Sequence, residues 1–343
     1  MQETIKIIPV NADVYPAFYT IVQSSQWGNP MLPLEYNNKL WGDVIYRNDE
    51  IIGGWVGTIR GDLPVVRLIT KSVYFDSYPI FKTKALEEHY ISIFIDKVKN
   101  HAKRDRIVML NLTHWIRGEK NIQLDVHEKY ATFLVDLQRE QDFLWSALDS
   151  TKQRNIKKAI KNEVAFHTCK NEESLNYLND FQQLREITQT RAISSHKQAS
   201  ILLKSNAFFI KMMQQDNVTL LLGKYEEQVG SVALVTQGGN VVYYHSGGSD
   251  IEINRKTCCS TYMFWQSFLY FKANGVKYFD MGGVPCDADE THPAYGVYRF
   301  KKSFGGEYME FDGGKIIIAP FRYKMLQFLL SQRKLLRLFS TKL

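Results

Sequence analysis

Side chains able to do chemistry gather in the last third of the chain. Tyr278-Phe279-Asp280-Met281-Gly282-Gly283 ends an apolar run with a carboxylate and two glycines. Asp280 can bind an incoming ammonium, or hold a loop by accepting backbone N–H bonds. The glycines permit positive φ and close backbone approach. Upstream, Tyr243-Tyr244-His245 sits in a β-forming run. Strand alternation puts Tyr243 and His245 on one face and Tyr244 on the other. Tyr244 can contact substrate or protonate a leaving group. His245, with an ordinary pKa of about 6.5, can accept a proton, or it is a structural histidine under a sheet. Arg154, Lys157, Lys158 and Lys161 stand at i, i+3, i+4 and i+7 and share one helix face, with Ile156 and Ile160 on another. Such a face contacts nucleic-acid phosphates or an anionic membrane, or is simply solvated.

The bulk numbers narrow the class. At 343 residues the chain is long enough for two domains of roughly 150 residues each. A net charge of +7 favours anionic partners. No apolar run reaches the roughly 18 residues of a membrane span. Residues 1–16 lack the basic and apolar regions of a secretory signal, so a cytoplasmic setting is expected. Cys169, Cys258, Cys259 and Cys286 are too few for a disulfide scaffold and read as reduced and buried. Paired CxxC and HExxH spacings are absent, so no metal site is expected. The P-loop, the strand-borne GxGxxG and the GxSxG elbow are absent too, which leaves a serine nucleophile without support.

Periodicity supplies the elements. A strand at 5–10, a helix at 15–23, strands at 43–46, 51–59 and 65–73, a helix at 85–102 and a strand at 106–112 give β-α-βββ-α-β, with turns at Asn48-Asp49 and Gly61-Asp62. A strand at 131–137 links the halves. The second half reads as a helix at 142–161, a strand at 164–168 and helices at 173–190 and 198–214. Three strands at 218–225, 228–236 and 241–245, a helix at 261–273 and a strand at 277–281 follow. Three antiparallel strands, a helix and a returning strand resemble the core of the acetyltransferase superfamily known as GNAT. The order occurs twice. The expectation is a mixed α/β (α+β) protein of two tandem GNAT-like domains, residues 1–136 and 137–343, each a mostly antiparallel sheet flanked by helices. A C-terminal helix at 321–339 carries Met325, Phe328 and Leu335 among Arg322, Lys324 and Arg333. It docks on a membrane or packs across the domain junction.

Four stretches together resemble the FemABX family. Tyr278–Gly283 and Tyr295-Gly296-Val297-Tyr298-Arg299-Phe300-Lys301-Lys302-Ser303-Phe304-Gly305-Gly306 are similar to its Y-D-x-x-G and G-x-Y-x-F-K-x-x-F-G patterns. Gln23-Ser24-Ser25-Gln26-Trp27-Gly28 resembles its opening. Residues 150–159 look like its basic helix. The resemblance implies an aminoacyltransferase that uses aminoacyl-tRNA and extends a cell-wall precursor. It implies Lys301 near the reacting centre, where the cation stabilises developing negative charge. Phe300 then orients that side chain or stacks on a base. The alternative puts Phe300 and Phe304 inward at helical spacing and leaves Arg299, Lys301 and Lys302 solvated. Tyr298, Gly282, Trp27 and Arg191 fall on matching positions and are read as substrate-binding. Met31 stands where the family often has a phosphate-binding lysine, and Ser195 where a tyrosine is expected.

The donor is aminoacyl-tRNA or, alternatively, an acyl-CoA acting on an amino sugar. No permanently bound cofactor is expected in either case. Asn254-Arg255-Lys256-Thr257-Cys258-Cys259 occupies the place of the acetyltransferase pyrophosphate loop without its glycines, which weakens a conventional CoA site. The partners implied are tRNA, a nucleotide- or lipid-linked sugar acceptor, and peripheral contact with the inner face of a membrane. A binding module that kept the fold and lost the chemistry is the third reading.

Overall fold

The computed structural model describes residues 3–25, 40–61, 67–112, 122–195, 206–286, 288–292 and 294–331. They form two compact units, Met1–Lys129 with Phe311–Leu343, and Tyr130–Glu310.

The first unit opens with β1 (Ile5–Pro9), α1 (Tyr15–Ser24), β2 (Leu40–Arg47) and β3 (Glu50–Arg60). Then come α2 (Arg67–Thr70), β4 (Ser72–Phe75), β5 (Ile80–Phe81), α3 (Lys84–Arg104) and β6 (Met109–Leu112). Asn48 and Asp49 both take positive φ, 50° and 65°, the tight turn that a two-residue hairpin needs. The strand expected at 65–73 is corrected. Arg67–Thr70 is a helical turn and pairing starts at Ser72. The carbonyls of Leu68 and Arg106 accept from Arg322, so this segment is a docking turn rather than a ladder strand. In α3, Thr83 caps the N-terminus by accepting from Leu86 N–H, and Tyr90, Phe94 and Val98 point inward at i, i+4 and i+8. Ile93, one residue out of that phase, is 56% exposed.

An ion cluster ties α3 to β2. His101 Nδ1 lies 2.9 Å from Asp43 Oδ2, its Nε2 lies 3.2 Å from Asp105 Oδ2, and Trp41 stacks on the imidazole at 4.5 Å. The Asp43 hydrogen bond raises the His101 pKa against the opposing effect of burial, helped by the charges of Asp43 and Asp105. A histidine whose folded pKa is raised stabilises fully below its unfolded value of about 6.5, and that stability is lost as pH rises through the folded value. Urea unfolding followed by tryptophan fluorescence is therefore expected to show stability falling above pH 6.5. His101→Gln should flatten that slope; an unchanged slope would mean the clamp is electrostatically idle.

The second unit begins inside β7 (Val126–Asp136). It continues through α4 (Gln141–Ala147), α5 (Ser150–Lys161), β8 (Ala165–Cys169), α6 (Asn171–Leu175), α7 (Leu178–Ser195) and α8 (Asn206–Met213). The chain then forms β9 (Val218–Tyr225), β10 (Gln228–Gly238), β11 (Val241–Ser249), α9 (Ile251–Thr257), α10 (Cys259–Ala273), β12 (Tyr278–Asp280) and α11 (Tyr295–Lys302). It returns to the first unit within β13 (Glu307–Ile317) and ends its described course in α12 (Pro320–Ser331). The helix expected at 142–161 is two helices, because the Asp149 carboxylate accepts from Thr151 N–H and starts a new one. The helix expected at 173–190 is likewise α6 and α7. Residues 196–205, within the helix expected at 198–214, lie outside the described residues.

Both units share one strand logic. The first runs β1-β2-β3-β4-β6-β13 and the second β8-β9-β10-β11-β12-β7. In each, three antiparallel pairings are followed by one parallel pairing, β4 with β6 and β11 with β12, and then by an antiparallel one. The mixed α/β fold with mostly antiparallel sheets agrees with the sequence expectation. The second unit has a core on each sheet face. Ala233, Val235 and Val242 point towards α10, whereas Leu220, Val232 and Leu234 point towards α7 and α8.

Candidate active site

The site is built where β11 and β12 run parallel. β11 pairs with β10 in register until the ladder jumps from Val235↔Tyr244 to Leu234↔Ser246. His245 is the extra residue of that β-bulge, a feature that bends a strand and re-aims its side chains. Tyr244 keeps the phase of Val242 and packs on the α10 core, with its ring 5.4 Å from Phe264. Burial pushes its phenol up to about 12, so at neutral pH it is a hydrogen-bond donor and not a base.

β12 ends at Asp280, which is buried. Its Oδ1 accepts from Gly282 N–H at 2.7 Å and from Thr132 Oγ1 at 2.5 Å, so the carboxylate holds the loop. Gly282 has φ +77°, and a Cβ there would lie 2.8 Å from the Tyr244 carbonyl oxygen and 3.3 Å from Lys301 Nζ. Glycine is required on both counts.

Lys301 comes from α11. The reading that left it solvated is corrected: it is 7% exposed, while Arg299 and Lys302 on either side are exposed. Its ammonium donates to the Gly283 carbonyl at 3.0 Å and lies 5.4 Å from the Tyr244 ring centroid. Burial lowers its pKa from 10.5 to about 8, against the pull of the Asp280 charge. Lys301, Tyr244, Asp280 and Gly282 are thus one cluster, supplied by a helix, a bulged strand, a strand end and a glycine turn.

A second buried lysine lies close by, and sequence reasoning passed over it. Lys152 of α5 is 8% exposed, with its ammonium 3.9 Å from the Phe300 ring centroid and 4.6 Å from that of Phe304. Burial lowers its pKa to about 8, with Cys258 and Asp149 pulling it up. The signal was available: Lys152 is in phase with Ile156 and Ala159, the inward stripe of α5. Phe300 is therefore engaged by Lys152, and Phe304 is core. Tyr298 packs against Phe133 at 5.2 Å and stacks on Tyr295.

Arg154, Lys157, Lys158 and Lys161 are all exposed, as their spacing predicts. Lys158 donates to the Arg255 carbonyl at 3.0 Å, linking α5 to α9. Of the two isoleucines read onto another face, Ile156 is buried and Ile160 is 56% exposed. Arg191 lies in the last turn of α7; its side chain, that of Ser195, and all of Trp27 and Met31 lie outside the described residues.

The start of α10 occupies the place of an acetyltransferase pyrophosphate loop. Asn254 Oδ1 accepts from both Ser260 N–H (3.0 Å) and Ser260 Oγ (2.8 Å), and Cys258 O accepts from Thr261 and Tyr262 N–H. The Ser260, Thr261 and Tyr262 N–H donors that would help cradle a pyrophosphate are already used. The four cysteines are free thiols. Among the described residues, no group of three or more His, Cys, Asp or Glu could hold a metal, and no helix is long and apolar enough to cross a membrane.

Fold and cluster together fit an acyltransferase on a tandem GNAT-like scaffold, and the comparisons support that class. A FemAB family model matches residues 215–331, the segment that contains Tyr244, Asp280, Gly282 and Lys301. The crystal structure of FemX superposes with a TM-score of 0.73 at 14% identity, covering 94% of this chain and 99% of that one. The C-terminal DUF2156 domain of a candidate lysylphosphatidylglycerol synthetase from Agrobacterium fabrum gives 0.56 at 10% identity, over 93% and 95% of the two chains. L-PGS from Bacillus licheniformis gives 0.54 at 11%, over 89% and 91%. No curated protein matches the sequence. At these identities the structural likeness is one of fold. The sequence match to the FemAB family is confined to residues 215–331.

Proposed function

We propose that this protein transfers an aminoacyl group from aminoacyl-tRNA to an amine of a cell-wall precursor or related acceptor. The observation that carries the reading is the buried ammonium of Lys301, fixed on the Gly283 carbonyl beside Tyr244 and Asp280. In the reaction the amine nitrogen bonds to the ester carbon, the ester C–O bond to ribose breaks, and the amine proton ends on the ribose oxygen. Negative charge builds on the carbonyl oxygen between these events. A preorganised cation in a water-poor site stabilises that charge without reorganising. Asp280 keeps Lys301 charged, and Tyr244 supplies a neutral hydroxyl as hydrogen-bond donor. A covalent enzyme intermediate is not needed.

Charged tRNA is favoured over acyl-CoA by the start of α10, whose backbone donors are taken by Asn254 and Cys258. Arg154, Lys157, Lys158 and Lys161 form the phosphate-contacting face in this reading. Trp27 and Arg191 contribute to acceptor binding by their resemblance to family positions, and His245 serves as the proton acceptor. The setting is cytoplasmic. Exposed Phe321, Met325, Phe328 and Leu330 on α12 give peripheral contact with a membrane that holds a lipid-linked acceptor.

Thermal protection tests the donor. An aminoacylated RNA hairpin that mimics a tRNA acceptor stem is expected to raise the unfolding temperature, and CoA or acetyl-CoA to leave it unchanged. Protection by CoA and none by the charged hairpin would transfer the reading to an acyl-CoA-dependent N-acyltransferase.

A further inference from the structure

Lys301 is the buried side chain of α11, and the rest of that helix is half-buried or exposed. A helix left to itself would not choose this arrangement. Burial disfavours the ammonium, as its lowered pKa records, so rolling α11 about its axis would return Lys301 to water. Ala294 at the N-cap offers no side-chain hydrogen bond to resist the roll. Hydrophobic contact resists it poorly, because it is non-directional. A directional contact on another row of the same helix is needed.

Phe300 and Phe304 supply that row. They stand at i and i+4, next to Lys301, and both turn towards the Lys152 ammonium of α5. It lies 3.9 Å from one ring centroid and 4.6 Å from the other. A cation is attracted to the face of an aromatic ring and not to its edge, so this contact survives in one rotational setting of α11. Phe264 of α10 closes the ring cluster, 5.8 Å from Phe300 and 5.5 Å from Phe304. Lys152 is held from behind, donating to Thr261 Oγ1 of α10 at 3.5 Å. The same end of α5 is joined to the end of α11, where Asp149 N–H donates to the Ser303 carbonyl at 3.0 Å.

A leucine at 152 would fill the space without desolvating a charge. A buried ammonium held by ring faces and one long hydrogen bond is costly, which points to a task for the charge itself. That task is not direct repulsion or attraction of Lys301. The groups whose charge bears on Lys152 are Cys258, Asp149 and Arg299, and the one that bears on Lys301 is Asp280. Influence of Lys152 on Lys301 therefore passes through the helix.

We propose that Lys152 is a positioning residue: its ammonium, held on the faces of Phe300 and Phe304, locks the rotation of α11 that keeps Lys301 buried on the Gly283 carbonyl. The consequence for turnover rests on the transferase reading; the lock itself does not.

The test reads Lys301 directly. Full-length protein carrying isotopically labelled lysine is titrated by NMR, with Lys301→Met assigning the Lys301 side-chain signal. In the wild type that signal should titrate at about 8. In Lys152→Leu it should titrate about one pH unit or more higher, towards an ordinary 10.5. Lys152→Arg keeps a cation that stacks on rings, and its Lys301 should titrate as in the wild type. Phe300→Leu leaves Lys152 and Phe304 in place, and should move Lys301 in the same direction as Lys152→Leu but by less. A general loss of stability moves none of these values, since the titration is read in the folded state. In transfer from charged tRNA, Lys152→Leu is expected to lose about tenfold or more in kcat with KM for the donor little changed, and Lys152→Arg to recover most of it. The proposal is overturned if Lys301 titrates alike in Lys152→Leu and the wild type. It is overturned equally if Lys152→Arg moves Lys301 as far as Lys152→Leu does. A Lys301 displaced by Lys152→Leu, in a protein whose wild type transfers no donor, would overturn the transferase reading and uphold the lock.

Discussion

Replacing Lys301 with methionine is expected to lower kcat for acyl transfer by about 10²–10³-fold, the loss typical for removing one oxyanion-stabilising group. KM should change little, because the interaction strengthens only as charge develops. Stability is expected to move the other way or not at all. Lys301 has a folded pKa of about 8 against an ordinary 10.5. Between those values the unfolded chain binds more protons than the folded one, so the lysine's contribution to stability rises with pH and is least favourable below pH 8. At about 1.4 kcal/mol per unit, the buried charge costs roughly 3 kcal/mol at neutral pH. Methionine removes that cost and loses one hydrogen bond to Gly283, worth about 1 kcal/mol. Thermal unfolding of the variant should therefore show no fall in Tm while turnover collapses. A fall in Tm with turnover preserved would make Lys301 a structural residue.

Asp280→Asn is expected to shift the pH profile. The asparagine oxygen can still accept from Gly282 N–H and Thr132, so the loop is retained. The negative charge that supports the Lys301 ammonium is gone. The folded pKa of Lys301 should then drop below about 8, and the alkaline limb of kcat should move to lower pH. The activity lost should be larger at pH 8.5 than at pH 6.5. Asp280→Ala differs, because it strands the buried Gly282 N–H at about 1–3 kcal/mol, while Thr132 Oγ1 keeps the Gly282 carbonyl as acceptor, and it is expected to unfold at a lower temperature. A pH profile identical in Asp280→Asn and wild type would separate Asp280 from the reacting centre and leave it as a loop anchor.

The readable parts of the chain are those where local pattern and tertiary structure agree. The three strands at 218–225, 228–238 and 241–249 stand out because β-formers alternate and turns punctuate them. Asn48-Asp49 is legible because few residues tolerate positive φ. β13 escaped because Asp312-Gly313-Gly314 looks like a turn. Gly314 is needed instead because a Cβ at its φ of +146° would strike the Val126 carbonyl. The bulge at His245 arises from pairing with β10, which no local pattern encodes. Lys152 hid among the lysines of α5, since its partners Phe300 and Phe304 come from far along the chain.

The most direct measurement of the central claim is single-turnover transfer to hydroxylamine, a small amine that stands in for the unidentified acceptor. Charged tRNA and acetyl-CoA are supplied separately to the wild type and to Lys301→Met. The expected result is enzyme-dependent hydroxamate from charged tRNA, none above background from acetyl-CoA, and a loss of about 10²–10³-fold in the variant. Hydroxamate formed from acetyl-CoA alone, or formed from charged tRNA at the same rate by both proteins, would contradict it.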